Sequence, residues 1–425
     1  MRAEWITVLA AMGLIGTPRA HAAGEPLAHV VDSAEDAAVY RARFAKLSSA
    51  GESTSLYDTL ESVPGAKVVR PLPLAASGAA AFSAESLQAA KDYAGRMNSN
   101  ALIVWRDGRV QLEAYFGDFG RDSAVIGRSL SKPLAAIAIG RAIALGRIRS
   151  LDQPLADFLP EWRADPRRSR ILVRHMLDMR TGFLRQSITA DPDDILNRAY
   201  LHPRHDEILL KEYPVPDEPG SVYEYSNATG DLAALVIERA TGRRYAEFLS
   251  TEVLTPIGAP GGQIWIDRPG GLAHSGCCIL LPAETWLRLG LLVLQDGRVG
   301  SRRILPPGFA HEMAQPTREN PYYGLGLYVA GTYTQRRGAF NPKTVKGVRG
   351  TLHSEPYLAR DLLLFDGNAN QVVYIIPSQN MVVLRTGSAP ARGPGAPEWD
   401  NAFLPNTLIR GIIRRQRESV PQSQK

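Results

Sequence analysis

Residues 130–145 read Leu-Ser-Lys-Pro-Leu-Ala-Ala-Ile-Ala-Ile-Gly-Arg-Ala-Ile-Ala-Leu. Apolar side chains cover almost every face of a helix drawn through them, so this segment has to lie inside the molecule. A chain that buries such a helix needs a layered core with other elements on several sides of it. Pro133 is tolerated only in the first turn, so the helix begins near Ser129, and Gly146 stops it. Lys132 then occupies the first turn of a buried helix, where the helix dipole and the loss of water both disfavour its charge. Both effects lower its pKa, and a neutral amine takes a proton from a neighbour. Ser129 lies three residues earlier, on the same helix face. A hydroxyl beside a neutral amine is an activated nucleophile. A blander reading stands beside this one, in which Ser129 caps the helix and Lys132 snorkels to water; Ser-x-x-Lys by itself does not separate the two.

The rest of the chain shows what surrounds that helix. Residues 23–82 have weak periodicity and end in an Ala/Pro/Gly/Ser-rich stretch, which suits an N-terminal extension wrapped on a domain. Residues 84–97 suit a helix with Ser83 as its N-cap. Leu102–Trp105 and Val110–Phe116 flank Arg106-Asp107-Gly108, and the second run alternates, so the pair reads as a hairpin with one buried face. A helical block over about 129–300 follows, then strands at 324–330, 371–376 and 381–386 and a helix at about 399–417. Strands, helices, strands and a final helix describe a sheet drawn from both ends of the chain, with a helical domain inserted.

A second constellation lies about 100 residues beyond Lys132. Pro219-Gly-Ser-Val-Tyr-Glu-Tyr225-Ser-Asn227 immediately precedes a helical segment at 230–241. A loop there presents Tyr225 and Asn227 on one side of a cleft, where a phenol relays a proton and a carboxamide holds an amide. The alternative is a core aromatic and a helix cap. A third site is expected at a strand edge, where Phe365-Asp366-Gly367-Asn368 precedes the strand at 371–376.

These three pieces together, with the flanks Gly146–Pro160, Val173–Gly182 and Gln371–Gly387, resemble the serine β-lactamase and penicillin-binding superfamily. The resemblance covers about residues 85–415 and is strongest to the class C-type, β-lactamase-related hydrolases, including 6-aminohexanoate-dimer hydrolases and family VIII esterases. It implies an α/β (α+β) fold, an antiparallel sheet flanked by helices with an inserted all-helical domain and the site between them, within a catalytic domain at 83–415. It implies no metal and no organic cofactor. By the same resemblance Ser129 is the acylated nucleophile, Lys132 its proton partner, Tyr225 a shared general acid and base, and Asn227 a substrate-orienting group. The oxyanion would lie between the backbone N–H groups of Ser129 and of Asn368, the residue after Gly367. The chain departs from the superfamily at the third motif, where Phe365-Asp366-Gly367 replaces Lys-Thr-Gly or His-x-Gly. Lys343-Thr344 lacks the following glycine and belongs to a basic loop with Arg336, Arg337, Lys346 and Arg349.

Other features exclude other chemistries. A net charge of +6 on 425 residues is too small to indicate a nucleic-acid partner or an anionic membrane surface. The two cysteines, Cys277 and Cys278, are adjacent, which excludes a disulfide scaffold and a paired-CxxC zinc site, and both suit small buried positions. His202 and His205 form an HxxH without a third ligand in sequence and are expected at the surface. His274 sits in a Gly-rich turn, where lining the cleft is the minor of two readings. Asp191, Asp193 and Asp194 form an acidic loop that edges the cleft in this fold, and Arg414, Arg415 and Arg417 suit the wet face of a helix before a tail at 416–425. At the N-terminus, Arg2, the apolar run Trp5–Gly16 and Ala20-His-Ala22 fit a signal peptide over 1–22 and export to the periplasm or medium, with no membrane span afterwards. The reading that follows is an exported serine hydrolase acting on a small amide or ester. A β-lactamase or peptidoglycan DD-peptidase, and a non-catalytic binding protein of the same fold, are the alternatives.

Overall fold

The computed structural model describes residues 26–49, 56–76, 80–185, 188–343, 350–390 and 395–413. The expected signal peptide, the Thr344–Arg349 part of the basic loop, and the C-terminal arginines with the tail lie outside the described residues.

Ten strands frame the site: β1 (Leu60–Val63), β2 (Ser99–Arg106), β3 (Arg109–Tyr115), β4 (Ala124–Ile126), β5 (Gly262–Trp265), β6 (Ile279–Pro282), β7 (Tyr328–Val329), β8 (Leu363–Gly367), β9 (Gln371–Ile376) and β10 (Met381–Gly387). They make an antiparallel six-stranded sheet in the order β3-β2-β10-β9-β8-β7 and a smaller sheet in the order β1-β5-β6-β4. Each sheet takes strands from both sides of the helical insertion. The hairpin β2–β3 turns on Asp107 (φ +48°) and Gly108 (φ +85°). Two left-handed residues in sequence match the twist of the flanking strands. The central strands β9 and β10 are buried on both faces, which is why they read as unbroken apolar runs.

Six longer helices accompany them: α1 (Ala34–Ser49), α2 (Ala84–Arg96), α3 (Ser131–Ala144), α4 (Asn227–Thr241), α5 (Ala283–Leu294) and α6 (Phe403–Arg410). Ser83 caps α2, its Oγ accepting the Ser86 N–H at 3.2 Å. Helices α2 and α6 cover one face of the large sheet, against Leu102, Val104, Val372 and Tyr374. Helix α5 covers the other, and Gly290 is what lets it approach: an added Cβ would sit 2.8 Å from a Val373 methyl. Helices α3 and α4 pack on each other at the centre of the inserted domain.

The helical block expected over 129–300 is broken. Residues 262–282 leave the helical layer and form β5 and β6, and α5 belongs to the large sheet rather than to the insertion. Strand β5 pairs with β1, some two hundred residues earlier, so nothing in the local pattern announces it. The strand expected at 324–330 shrinks to β7, and the last helix is shorter than 399–417. Of the N-terminal extension, α1 is fastened by buried Arg43, which donates to both Asp58 oxygens (2.8 and 2.9 Å) and to the carbonyls of Leu201 (2.9 Å) and Asp267 (2.7 Å). Among the described residues no helix is long and apolar enough to cross a membrane.

Candidate active site

Ser129 lies in a single 3₁₀ turn, Arg128–Leu130, that feeds directly into α3. Arg128 holds φ +52°, a strained value for a residue with a side chain. The turn is wedged on both sides. A Cβ at Gly127 would strike the Trp286 ring at 2.2 Å, and a Cβ at Gly367 would lie 2.7 Å from the Gly127 carbonyl and 3.3 Å from the Ser129 nitrogen. Glycine at 367 therefore allows the end of β8 to lie against the Ser129 peptide. Beyond it, Ala369 and Asn370 are left-handed (φ +62° and +61°), and buried Arg385 donates to both their carbonyls at 2.8 and 2.9 Å. That clamp holds the 368–370 turn, with Asn368 exposed at its start.

Lys132 is the second residue of α3 and is buried. Its Nζ reaches Asn227 Oδ1 at 2.6 Å, the Gly276 carbonyl at 2.6 Å and Ser129 Oγ at 3.2 Å. It also lies over the Tyr225 ring, 4.5 Å from the centroid. Burial lowers its pKa from the usual lysine value to about 7, with the Asp231 carboxylate opposing the fall. The three partners are not equivalent. Two are amide oxygens, which only accept; the hydroxyl alone has a proton to give. A neutral amine that donates to both amides has one lone pair left, and it faces Ser129. Helix-cap Ser129 and snorkelling Lys132 are therefore not what this structure contains.

Asn227 opens α4, but the cap position belongs to Ser226, and the Asn227 carboxamide turns to Lys132. Tyr225 stands half-buried beside them, its phenol near enough to Ser129 for that hydroxyl to hold its pKa down against burial. Burial pushes that phenol well above the usual tyrosine pKa, so at neutral pH it is a proton donor. Tyr323 meets it edge-on at 6.2 Å and packs in turn against Tyr223 and Tyr328. Sequence reading singled out neither Tyr323, Tyr328 nor Arg385. The cluster Pro-Tyr-Tyr-Gly-Leu-Gly-Leu-Tyr at 321–328 was the available signal.

Ser129, Lys132, Tyr225 and Asn227 thus converge, with Gly367 alongside. Asp366 is placed differently. It shares its sheet face with Leu364 and its neighbour Val372, toward the α2/α6 layer, near Asn401. Burial raises its pKa to about 7, against the pull of Arg337 and Asn401, so it is only partly charged at neutral pH. The acidic loop is exposed at Asp191 and Asp193, and Asp194 caps the helix Ile195–Leu201 through the Leu196 N–H at 2.9 Å.

The surface expectation for the histidines is overturned. His202 and His205 are fully buried, and the fold supplies what the sequence lacked, Asp231 and His274, around His205. His274 is buried too, stacked between His205 (4.2 Å) and Trp265 (3.8 Å), so it lines no cleft. Cys277 and Cys278 are buried as expected and are joined in a vicinal disulfide.

If Lys132 must be neutral to take the Ser129 proton, kcat/KM for a neutral ester rises tenfold per pH unit below about 7 and levels above it. A profile from pH 5 to 9 checks this. Asp366 titrates in the same range, so Asp366→Asn is the control: the limb stays if Lys132 governs it. A flat profile down to pH 5 contradicts the assignment.

The Beta-lactamase family model matches residues 84–403. The chain is 25% identical over 232 residues to a 6-aminohexanoate-dimer hydrolase of Paenarthrobacter ureafaciens, covering 51% of this chain and 57% of that protein. It is 29% identical over 219 residues to the esterase EstB of Burkholderia gladioli, covering 47% and 52%. The matches span little more than half the length of these curated relatives. Among solved structures, a Bacillus anthracis protein provisionally named a 6-aminohexanoate-dimer hydrolase superposes with a TM-score of 0.64 at 16% identity, over 84% of this chain and 90% of that one. At that identity the likeness speaks for the fold.

Proposed function

The chain belongs to the Beta-lactamase family, and from that premise we propose that it is an exported serine hydrolase that cleaves a small amide or ester through an acyl-enzyme on Ser129. One observation carries the reading: buried Lys132 is held by two acceptor-only oxygens, at 2.6 Å each, so that its lone pair is left for the Ser129 hydroxyl at 3.2 Å. In the proposed reaction Ser129 Oγ attacks the substrate carbonyl while its proton passes to Lys132 Nζ. The oxyanion is held by the N–H groups of Ser129 and Asn368. The Tyr225 phenol protonates the leaving amine or alkoxide and is reprotonated through Lys132. Water then attacks the acyl carbonyl by the same groups in reverse, releasing the acid. Labelling with a fluorophosphonate and with a fluorescent penicillin, followed by peptide mapping, tests the assignment; a label on any residue other than Ser129 rejects it. Export is part of the proposal and rests on residues 1–22 alone, so mass spectrometry of exported protein should find Ala23 first.

The third motif bears on substrate. In β-lactamase and DD-peptidase relatives the resemblance implies a cation at the first position of that motif, pairing with the substrate carboxylate, whereas Phe365 has no charge. The cation nearest in influence to Asp366 is Arg337, and its guanidinium is spent on the carbonyls of Val329 (2.9 Å) and Ala330 (2.8 Å) and on His353 (3.1 Å). Losing a charge-assisted hydrogen bond costs roughly 1.5–3 kcal/mol, about ten- to a hundredfold. Neutral or amine-bearing amides and esters should therefore exceed penicillins and cephalosporins in kcat/KM, with the exposed 191–194 loop receiving an amine; Asp366, turned to the α2/α6 layer, is not placed to do so. The amine preference is the weaker arm, since it rests on the exposed 191–194 loop alone. A panel of nitrocefin, a neutral ester and an ω-amino amide checks it. Nitrocefin turnover near 10⁷ M⁻¹s⁻¹, within the range of efficient enzymes, would defeat the argument.

A further inference from the structure

Behind Lys132 lies a buried charged cluster that the proposed reaction does not use. Asp231 stands one helical turn after Asn227 on α4 and is fully buried. Its Oδ1 accepts the Gly276 N–H at 2.7 Å, and the Gly276 carbonyl accepts from Lys132 Nζ at 2.6 Å. The loop is sewn to α4 around this bridge: Ser275 Oγ donates to the Gly230 carbonyl at 2.9 Å and accepts the Ala234 N–H at 3.1 Å. Gly230 and Gly276 pack so closely that a Cβ on Gly230 would lie 2.8 Å from the Gly276 Cα. The second oxygen, Oδ2, has no hydrogen-bond partner among the described residues, and neither does His205 Nε2, 3.9 Å away, or His274 Nδ1, 3.5 Å away. His205 Nδ1 meets a second buried carboxylate, Asp267 Oδ2, at 3.0 Å.

Such a set invites a metal, but the rings argue otherwise. His205 and His274 are stacked within 10° of parallel. Imidazole ligates through a lone pair in its ring plane, and lone pairs in two parallel, separated planes do not meet at one ion.

We propose that Asp231 is a positioning residue for the acylation chemistry: it fixes the Gly276 peptide that holds Lys132 and supplies the buried negative charge that sets the proton affinity of the amine, with His205 as the opposing cation. This rests on the Ser129–Lys132 reading. Six groups face Asp231 or its immediate partner. They are Lys132 from α3, Tyr200 from the helix Ile195–Leu201, His205, Tyr245 from the short helix Tyr245–Phe248, His274, and Asp267 behind His205, with Asp206 a further carboxylate on the His205 side. Lying between two carboxylates raises the His205 pKa, while burial and the neighbouring His205 lower that of His274 to about 4. With His274 held neutral near pH 7, His205 is the group in the cluster placed to carry positive charge.

Two substitutions on the full-length protein predict opposite shifts. Asp231→Asn keeps an acceptor for the Gly276 N–H but removes the charge that favours the ammonium. The acid limb of kcat/KM, and of fluorophosphonate inactivation at Ser129, should move to lower pH by roughly one unit. His205→Gln removes the cation that offsets Asp231, so the same limb should move to higher pH. Asp231→Ala, which also frees the Gly276 peptide, should lower kcat about tenfold or more with KM little changed. Structural damage alone does not move a limb in opposite directions in two variants. Profiles that superimpose on the unmodified protein, or that shift the same way in both variants, overturn the proposal. So does a stoichiometric metal in the purified protein that His274→Ala loses. If Asp231→Asn does not fold, the sign of the His205→Gln shift decides: upward supports, unmoved or downward overturns. Absence of Ser129 labelling in the unmodified protein overturns this proposal together with the reading beneath it, whereas labelling with unmoved limbs overturns this proposal alone.

Discussion

Ser129→Ala should abolish covalent labelling and cut turnover of short-chain p-nitrophenyl esters by on the order of 10⁴- to 10⁶-fold, the scale on which a serine nucleophile is lost, while the protein stays folded. The nucleophile has no substitute nearby. Ser131, the next hydroxyl, has its proton committed to the carbonyls of Arg128 (2.8 Å) and Cys277. Removing Oγ leaves Lys132 its two amide oxygens, so the buried amine keeps partners and the fold has no new unpaired group. Far-ultraviolet circular dichroism and a thermal melt establish the fold, and ester turnover the chemistry. Normal hydrolysis by the alanine variant would mean that the nucleophile is elsewhere.

Lys132→Ala and Tyr225→Phe should each lower kcat by about 10²-fold or more, the usual effect of losing a positioned acid or base. The double variant should be far less than multiplicatively worse. The amine sits over the phenol ring at 4.5 Å and bonds the Ser129 hydroxyl, with the phenol beside that hydroxyl, so on the proposed reading either loss breaks one proton path, and residues that act as a unit are strongly non-additive. The pH profile separates the two. Lys132→Ala should erase the limb near pH 7, because the group that titrates there is gone. Tyr225→Phe should keep it, because its phenol titrates far above that range. Independent, fully multiplicative losses would count against a shared Lys–Tyr path.

Much of this was readable along the chain because it is local. The lysine in the first turn of an all-apolar helix identifies its own low pKa, since burial follows from the residues on every side of it in sequence. Ser129 follows from the helical period, and β9 and β10 from runs long enough to cross a buried sheet. Where a feature depends on what arrives from elsewhere, the local pattern is silent. The four residues of β5 are a strand because β1 and β6 flank them. His205 is buried because Asp231, Asp267 and His274 close over it, and an HxxH read in isolation resembles a wet surface pair. Asp366 differs again: the sequence shows a carboxylate next to the glycine of the third motif, but alternation along β8 turns it from the Phe365 face to the α2/α6 layer, and burial there halves its charge near pH 7.

The sequence by itself determined the candidate reactive groups, the helix that carries one of them and adjoins another, and the order in which sheet and helices follow, because those depend on composition and spacing within one element. Only the tertiary structure decided what each group touches. A proton's position is set by three or four atoms at 2.6 to 3.2 Å. Around Lys132 those atoms come from residues 129, 227 and 276, three segments that only the packing of α3, α4 and the 274–276 loop brings to one point.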